Sequence, residues 1–409
     1  MKNLLLLLSI ATTFSAQAAI WQNTAQWDQE TEKKFSEWVE FSYNTTIFTE
    51  GRYKGVPTDC ADSVYASRAI FSYENGLPFS IKDYSGGNKL ITNSMRRYDK
   101  IKNTGSSKDK RFKRFLRYIF DMTSTKTLPG DTYPVEINRD WVKAGGVFVR
   151  PRITAGTFFG GTDNSTQPGH AELIKKVDEK GILHFIGSTV PQAVRKLHTT
   201  TDLTFMPKNE KSGIRYWKTQ EVQQLAKTQI PGYSHEQYEM GTNPKKTWGT
   251  KKRKKTLWKI QVKDRLKLRD ESKEEMKYRY AQDFCTTMEG RVEVIIKADK
   301  KRIKLNRCMN FQEFDNYSTP SRDKKLRERL NALINLRFKY GKASKYRINK
   351  MAKYFENCND INIDGVHKIT MAEAAILLAK KKLLSDPNQT LAARWGQERK
   401  SRNKCEKFY

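Results

Sequence analysis

The chain has 409 residues, with 77 Lys and Arg against 45 Asp and Glu, giving a formal charge of +32 at pH 7. Apolar residues make up 37%, including 8 Trp, 18 Tyr and 20 Phe, which excludes disorder throughout and is ample for packed cores. The length suits two domains at ~100–200 residues each, and so basic a surface draws anionic partners such as wall polymers, lipopolysaccharide phosphates or nucleic acid.

Lys2, the apolar run from Leu4 to Ile10 and the small-residue site Ala16-Gln17-Ala18 have the three parts of a secretory signal peptide. Residues 1–18 are therefore expected to be a leader. Its core is too short to span a bilayer, and no later stretch approaches the ~18 uncharged apolar residues of a transmembrane helix. No cysteine follows the cleavage site to take a lipid anchor. The expectation is a periplasmic or secreted protein in a compartment where disulfides persist.

Residues 24–43 predict a helix, because Trp27, Thr31, Phe35, Trp38 and Val39 fall on one face. A loop from Phe48 to Pro57 then leads to Thr58-Asp59-Cys60-Ala61-Asp62, where Cys60 opens a second helix that Leu77-Pro78 ends. Asp59 is its cap. In the first turn, unpaired N–H groups and the positive end of the helix dipole favour a thiolate, the nucleophilic form of cysteine, whereas the Asp62 carboxylate opposes it. A lone cysteine before apolar residues is also the pattern of a packed core thiol. Parity bears on the choice: Cys285, Cys308, Cys358 and Cys405 lie in the last 125 residues, and if they pair, Cys60 is the odd thiol.

Residues 80–135 read as an insertion carrying a basic helix over 109–122, with Phe112, Phe115, Leu116, Ile119 and Phe120 inward. Gly146 to Pro151 predicts a short buried strand. His170 opens another, which turns at Asp178 to Gly181 and returns over Ile182 to Ile186. With the turn centred on Glu179 and Lys180, His170 faces Thr189 with Ser188 beside it, while His184 lies ~16 Å along the ladder. Gly213 to Trp217 closes the domain. Residues 241–262 read as a basic linker or arm, since 244–255 carries seven cations and no acid. Lys251, Lys252, Arg253, Lys254 and Lys255 are its candidates for binding a polyanion, with Trp248 and Trp258 available to stack on nucleic acid. Over 263–409 the chain reads as helical, with a stripe of Leu326, Leu330, Leu333, Ile334 and Phe338, and a Thr370/Glu373 capping box before a helix over 374–384. Two disulfides are expected there, in any of three connectivities.

Asp59-Cys60, Gly145-Gly146-Val147-Phe148-Val149 and Gly169-His170 together resemble, in order and element type, the NlpC-type cell-wall peptidases. Asn75-Gly76-Leu77-Pro78 and His170-Ala171 are also similar to transglutaminase-like proteins, which share the papain-like core. The resemblance covers residues 50–218. It implies an α+β fold: a papain-like core, with a nucleophile helix packed on a small antiparallel sheet over 19–240, followed by the helical, disulfide-bearing region. It also implies Cys60 as nucleophile, His170 as base, Tyr53 as an oxyanion donor, and a polar residue on the returning strand to orient the imidazole. Ser188 is the residue expected in that last role. The implied activity is cleavage of amide bonds, with peptidoglycan stem peptides as substrate; acyl transfer, or a non-catalytic protein binding an anionic envelope polymer, are the alternatives. Nucleic acid is a less favoured partner. No cofactor or metal is expected, because the His170/Glu172 pair and the histidines at 170, 184 and 198 fit no familiar zinc spacing.

Overall fold

The computed structural model describes residues 19–84, 89–101, 109–152, 169–219, 221–241, 251–363 and 368–408, apart from the side chains of 251–253. The leader read at 1–18 and the 244–250 part of the basic stretch lie outside the described residues. Asp28 accepts a hydrogen bond from the Thr31 amide and starts helix α1 (Gln29–Phe41), which buries Phe35 and Val39 on the predicted face. Helix α2 (Cys60–Glu74) starts at a full capping box. The Asp59 carboxylate accepts from the Ala61 and Asp62 amides, and the Asp62 carboxylate accepts from the Asp59 amide at 2.8 Å. The helix gives way at Gly76, where φ is +62° and a Cβ would meet the Thr24 hydroxyl at 2.0 Å.

Helix α2 is enclosed on every side: Cys60 through Ser72 are all buried. Its serines bond inward, Ser63 to the Cys60 carbonyl at 3.1 Å, Ser67 to that of Val64 at 2.7 Å and Ser72 to that of Arg68 at 2.8 Å. Arg68 makes a two-point contact with Glu32 at 2.5 and 2.9 Å and lies 3.3 Å from the Trp27 ring centroid.

The stretch read as an insertion is part of the core. Strands β1 (Ser80–Lys82) and β2 (Leu90–Thr92) pair as a hairpin. Helix α3 (Lys110–Met122) buries the five predicted apolar residues, and its Phe112 stacks on Tyr73 of α2 at 4.1 Å. A short α4 (Leu128–Asp131) then leads into β3 (Thr132–Pro134), an edge strand of the main sheet. With β4 (Val147–Arg150), β5 (His170–Val177), β6 (Leu183–Gly187), β7 (His198–Thr200) and β8 (Gly213–Trp217), it forms a sheet of order β3-β8-β4-β5-β6-β7 in which every pairing is antiparallel. The β5–β6 register joins Leu173 to Ile186 and Ile174 to Phe185, and a bulge then shifts it to Lys176 with His184.

Side chains alternate across this sheet. Val147, Val149, Ala171 and Leu173 join the core beneath α1, α2 and α3, whereas Phe148, Ile174, Phe185 and Ile214 join a second core on the opposite face. After a short α5 (Glu236–Glu239), helix α6 (Lys251–Leu266) covers that second face with Trp258, Val262 and Leu266. The expected linker is thus a helix over its second half. The charge run is followed by apolar residues at i, i+4 and i+8, and their burial on the sheet decides the conformation. Trp258 is fully buried, stacks near Phe148 at 6.2 Å and donates to the Gln237 carbonyl at 3.0 Å, so it is no platform for a nucleotide.

The rest of the chain is mostly helical: α7 (Lys273–Leu305), α8 (Phe311–Tyr317), α9 (Pro320–Asn335), α10 (Lys345–Asn349), the hairpin of β9 (Ile361–Asn362) and β10 (Lys368–Ile369), α11 (Met371–Ala379) and α12 (Leu391–Arg394). The predicted Leu326, Leu330, Leu333 and Ile334 stripe packs with Phe284, Met288 and Trp395 in a core of its own. The Thr370/Glu373 capping box starts α11 as predicted, but the helix stops at Ala379. Disulfides join Cys285 to Cys358 and Cys308 to Cys405, leaving Cys60 as the unpaired cysteine. Among the described residues no helix is long and apolar enough to cross a membrane.

The bridges span 73 and 97 residues, and closing loops of that length removes ~4–5 kcal/mol of chain entropy from the unfolded state per bridge. Replacing Cys308 and Cys405 by serine should lower stability by about 3–5 kcal/mol in urea denaturation followed by circular dichroism. An unmoved midpoint would show that this bridge does not stabilise the fold.

Candidate functional site

Cys60 occupies the first position of α2 and is 6% exposed. Burial, then the Asp59 carboxylate, push the thiol pKa up to about 12, outweighing the backbone amides of Ala171 and Ala61, which favour the thiolate. The expectation of a thiolate is therefore corrected. A helix dipole acts through about half a unit charge, and here it is opposed by removal from water and by two carboxylates in the capping box. The resting sulfur is a neutral thiol.

Helix α2, which Cys60 opens, packs on β5, which His170 opens. Alternation turns the His170 side chain to the face that carries Glu172, opposite the α2 face on which Cys60 lies, so the structure does not bring imidazole and sulfur together on one surface. His170 Nε2 lies 3.1 Å from Glu172 Oε2, a charge contact whose angles miss hydrogen-bond geometry. Glu172 Oε1 meets His198 Nε2 at 3.0 Å. Among the described residues no hydrogen bond engages His170 Nδ1. Glu172 is 1% exposed. Burial alone would raise its pKa, yet the imidazoles of His170 and His198 hold it well below the usual carboxylate range.

Strand pairing explains how the carboxylate reaches both histidines. His198 pairs with Gly187, and the β5–β6 register sets Gly187 opposite Glu172. With no side chain at Gly187, the sheet surface between Glu172 and His198 stays open, and a Cβ there would already touch Glu172 Cγ at 3.4 Å. Neither Glu172 nor His198 was expected in this role. The signal was the i,i+2 spacing of His170 and Glu172, which puts both on one strand face whatever the ligand.

Other expected site residues lie elsewhere. Ser188 is buried on the α2 side, donating to the Thr58 carbonyl at 2.9 Å and accepting no imidazole, because it is one residue out of phase with Gly187. Tyr53 donates to Glu74 at 2.8 Å and packs on Phe112, at the far end of α2 from Cys60, so it is no oxyanion donor. Fourteen helical steps of 1.5 Å put that end ~21 Å away. His184 meets Asp178 at 3.1 Å, away from His170. Of the basic candidates, Lys255 donates to the Thr204 carbonyl and has its pKa lowered by burial, while Lys254 is exposed. Lys251, Lys252 and Arg253 lie in α6, beyond what is described of side chains.

Loop 188–197 clamps the start of α2. Thr58 and Ala193 exchange backbone hydrogen bonds at 3.0 and 3.3 Å, and Gln192 donates to Asp62 at 2.8 Å. A cavity of about 450 Å³ opens between β5–β7 and α7, lined by His184, Thr200, Tyr278, Arg279 and Asp283 among others, but neither Cys60, His170 nor Glu172 lines it. Its charges are largely spent on one another, as in the His184–Asp178 pair and the Lys180 contacts to Asp178 at 3.6 Å and Glu275 at 3.8 Å. Among the described residues no three His, Cys, Asp or Glu side chains are grouped to hold a metal ion. No family model, characterised protein or solved structure matches this chain.

Burial, then the neighbouring Asp59 charge, push the Asp62 carboxyl from 3.8 up to about 7. The folded chain thus keeps this proton over a range in which the unfolded chain has lost it. The contribution to stability is complete below about pH 4 and is lost as pH rises to about 7, worth up to ~4 kcal/mol by linkage. Asp62→Asn keeps the cap's acceptor and removes the titration, so its unfolding free energy should fall less than wild type's between pH 4 and 7. Parallel pH profiles for the two proteins would remove Asp62 as the source.

Proposed function

We propose that the chain is an exported cysteine hydrolase with a papain-like core, acting in the periplasm or outside the cell on amide bonds. The observation that supports this reading is Cys60 at the N-terminus of a helix that packs on β5, the strand that His170 opens. His170 is steadied from its Nε2 side by the buried Glu172 carboxylate, leaving Nδ1 to meet the thiol proton.

In the first step the sulfur bonds to the carbonyl carbon as its proton passes to His170 Nδ1. A thiol raised to about 12 does not supply a standing thiolate at neutral pH, so base and bond formation act together. Glu172, in place of Ser188, orients the imidazole and stabilises the imidazolium that forms. The backbone N–H of Cys60 faces the developing oxyanion. His170 then gives the proton to the leaving amine, and water attacks the thioester to release the acid and restore the thiol. Peptide stems of peptidoglycan are the proposed substrate, supported by the leader pattern, by two disulfides suited to an oxidising compartment, and by a charge of +32 that favours an anionic polymer. The 6% exposure of Cys60 favours a second reading, a polymer-binding protein with an inert thiol.

Incubation of wild type and Cys60→Ala with purified wall, followed by mass spectrometry of the soluble fraction, separates the two. Fragments released by wild type alone are expected. Equal release, or none from either, overturns the hydrolase, and an amine cross-linked product would indicate acyl transfer instead. Glu172→Gln should lower kcat on the order of 10²-fold with little change in KM, since the amide holds the ring but not the charge. An unchanged kcat would exclude Glu172 from the chemistry.

A further inference from the structure

The turn between α9 and α10 carries charges and rings that the chemistry at Cys60 does not use. Between Glu328 and Glu356 the chain has no Asp or Glu, while Arg337, Lys339, Lys342, Lys345, Arg347 and Lys350 crowd into 337–350. Side chains fix the turn in place: Asn335 Oδ1 accepts from the Gly341 amide and Asn331 Oδ1 from the Ala343 amide, both at 3.0 Å, and Ser344 caps α10. Further contacts gather the cations. The Arg337 and Arg347 guanidinium carbons each lie 5.5 Å from the Phe338 ring centroid, and Lys350 Nζ lies 5.9 Å from that of Tyr346. Arg337 donates to the Lys350 carbonyl at 2.5 Å, and Arg347 to the Lys342 carbonyl at 3.3 Å.

Among the described residues none of these six cations forms an ion pair, and all but Arg347 are exposed. Lys353, just beyond them, pairs with Glu274 at 2.7 Å, and balanced charge resumes there. Tyr340 and Tyr346 stand among the cations, 100% and 66% exposed. Tyr340 holds a φ of +58°, in the left-handed region that disfavours any residue with a Cβ. Among the described residues its ring makes no hydrogen bond or ring contact, so nothing inside the fold accounts for its placement. Like charges crowded without a counter-ion favour an anion that neutralises them, and an open ring favours a flat partner that stacks on it. A phosphate polymer bearing bases supplies both. A lipid surface fits less well, because 336–350 exposes no aliphatic side chain to insert: Leu336 and Ala343 are half-buried and Ile348 is buried.

We propose that the α9–α10 turn is a docking surface for single-stranded nucleic acid, the six cations neutralising phosphates and Tyr340 and Tyr346 stacking on bases. The surface is independent of the reading of Cys60 as nucleophile. It lies in the disulfide-bonded helical region, apart from the basic stretch over 241–262, and it recognises backbone charge and base faces without regard to base order.

Fluorescence anisotropy of a labelled oligothymidylate with the full chain, across a series of salt concentrations, tests this. Affinity is expected to fall steeply with salt. Lys339→Gln/Lys342→Gln should reduce the slope of log affinity against log salt by about 1.4, at ~0.7 per single-strand phosphate contact. Tyr340→Ala should weaken binding about tenfold with the slope unchanged, and Tyr340→Trp should retain it. Lys208→Gln/Lys211→Gln removes two exposed cations just before β8 and should leave affinity and slope as in wild type. No binding, an equal loss in that control, or an unchanged affinity in Tyr340→Ala overturns the surface. Inorganic polyphosphate of matched charge should bind at least tenfold more weakly than the oligonucleotide. Equal binding would show charge acting without stacking, tighter binding to phosphatidylglycerol vesicles would assign the turn to a membrane, and either result overturns the proposal.

Discussion

Enclosure of α2 on every side is the constraint on which the remaining structure depends. A helix buried from Cys60 to Ser72 needs neighbours in all directions, and α1, α3 and the sheet provide them. Each polar group carried inside must then find a partner, because an unpaired buried donor or acceptor costs about 1–3 kcal/mol. The serines satisfy this by bonding back to the preceding turn, Arg68 by its pairing with Glu32, and Tyr65 by donating to Asp131 at 2.7 Å. The same enclosure governs the thiol. Removing Cys60 from water raises the energy of its charged form more than the helix terminus lowers it, so the end of α2 that would favour a thiolate in solvent holds a thiol here.

Charge is handled in two ways across the molecule. Inside, it is paired: Glu172 between two imidazoles, Arg68 on Glu32, and in the helical core Arg291 on Asp323 at 2.6 Å, with Asp323 also accepting from Thr319 and Ser385. Removing one member of such a pair strands the other in a dry interior, which makes these contacts obligatory even where their net contribution is small. Outside, most of the excess of Lys and Arg is spread over solvent, where single ion pairs are worth about 0–1 kcal/mol.

The helical region is more than an appendage. Its disulfides tie α7 to Cys358 and the loop after α7 to the C-terminal segment, fixing the pieces that pack around Leu326, Leu330 and Trp395. From that frame α7 and α9 reach back to β7 through Asp283 and Arg329, and α6 joins in through the Lys259 contact to Asp202 at 2.5 Å. These contacts fall on Thr200, the last residue of the strand that carries His198, and on Thr201 and Asp202 just after it. The end of the strand whose His198 meets Glu172 is thus held by Asp283 and Arg329, more than a hundred positions from Glu172 in the chain.

Local chemistry was legible where it acts over a few residues. The Asp28 and Asp59 caps, the Thr370/Glu373 box, the amphipathic face of α3, the β5–β6 register at Leu173 and Ile174, though not beyond the bulge near its turn, and the separation of Cys60 from four pairing cysteines follow from spacing, hydrogen-bond capacity and parity. What spacing could not supply was which distant elements would meet. Only the tertiary structure decided that the run after Thr250 packs Trp258 on the sheet, that Tyr53 lies at the wrong end of α2, and that Ser188 turns away from His170 toward Thr58. It also decided that Glu172 would reach His198 across Gly187 and that burial would hold Cys60 as a thiol. The reason is physical: capping and periodicity depend on neighbours within one or two turns, whereas desolvation and charge pairing depend on everything within several ångströms, wherever it stands in the chain.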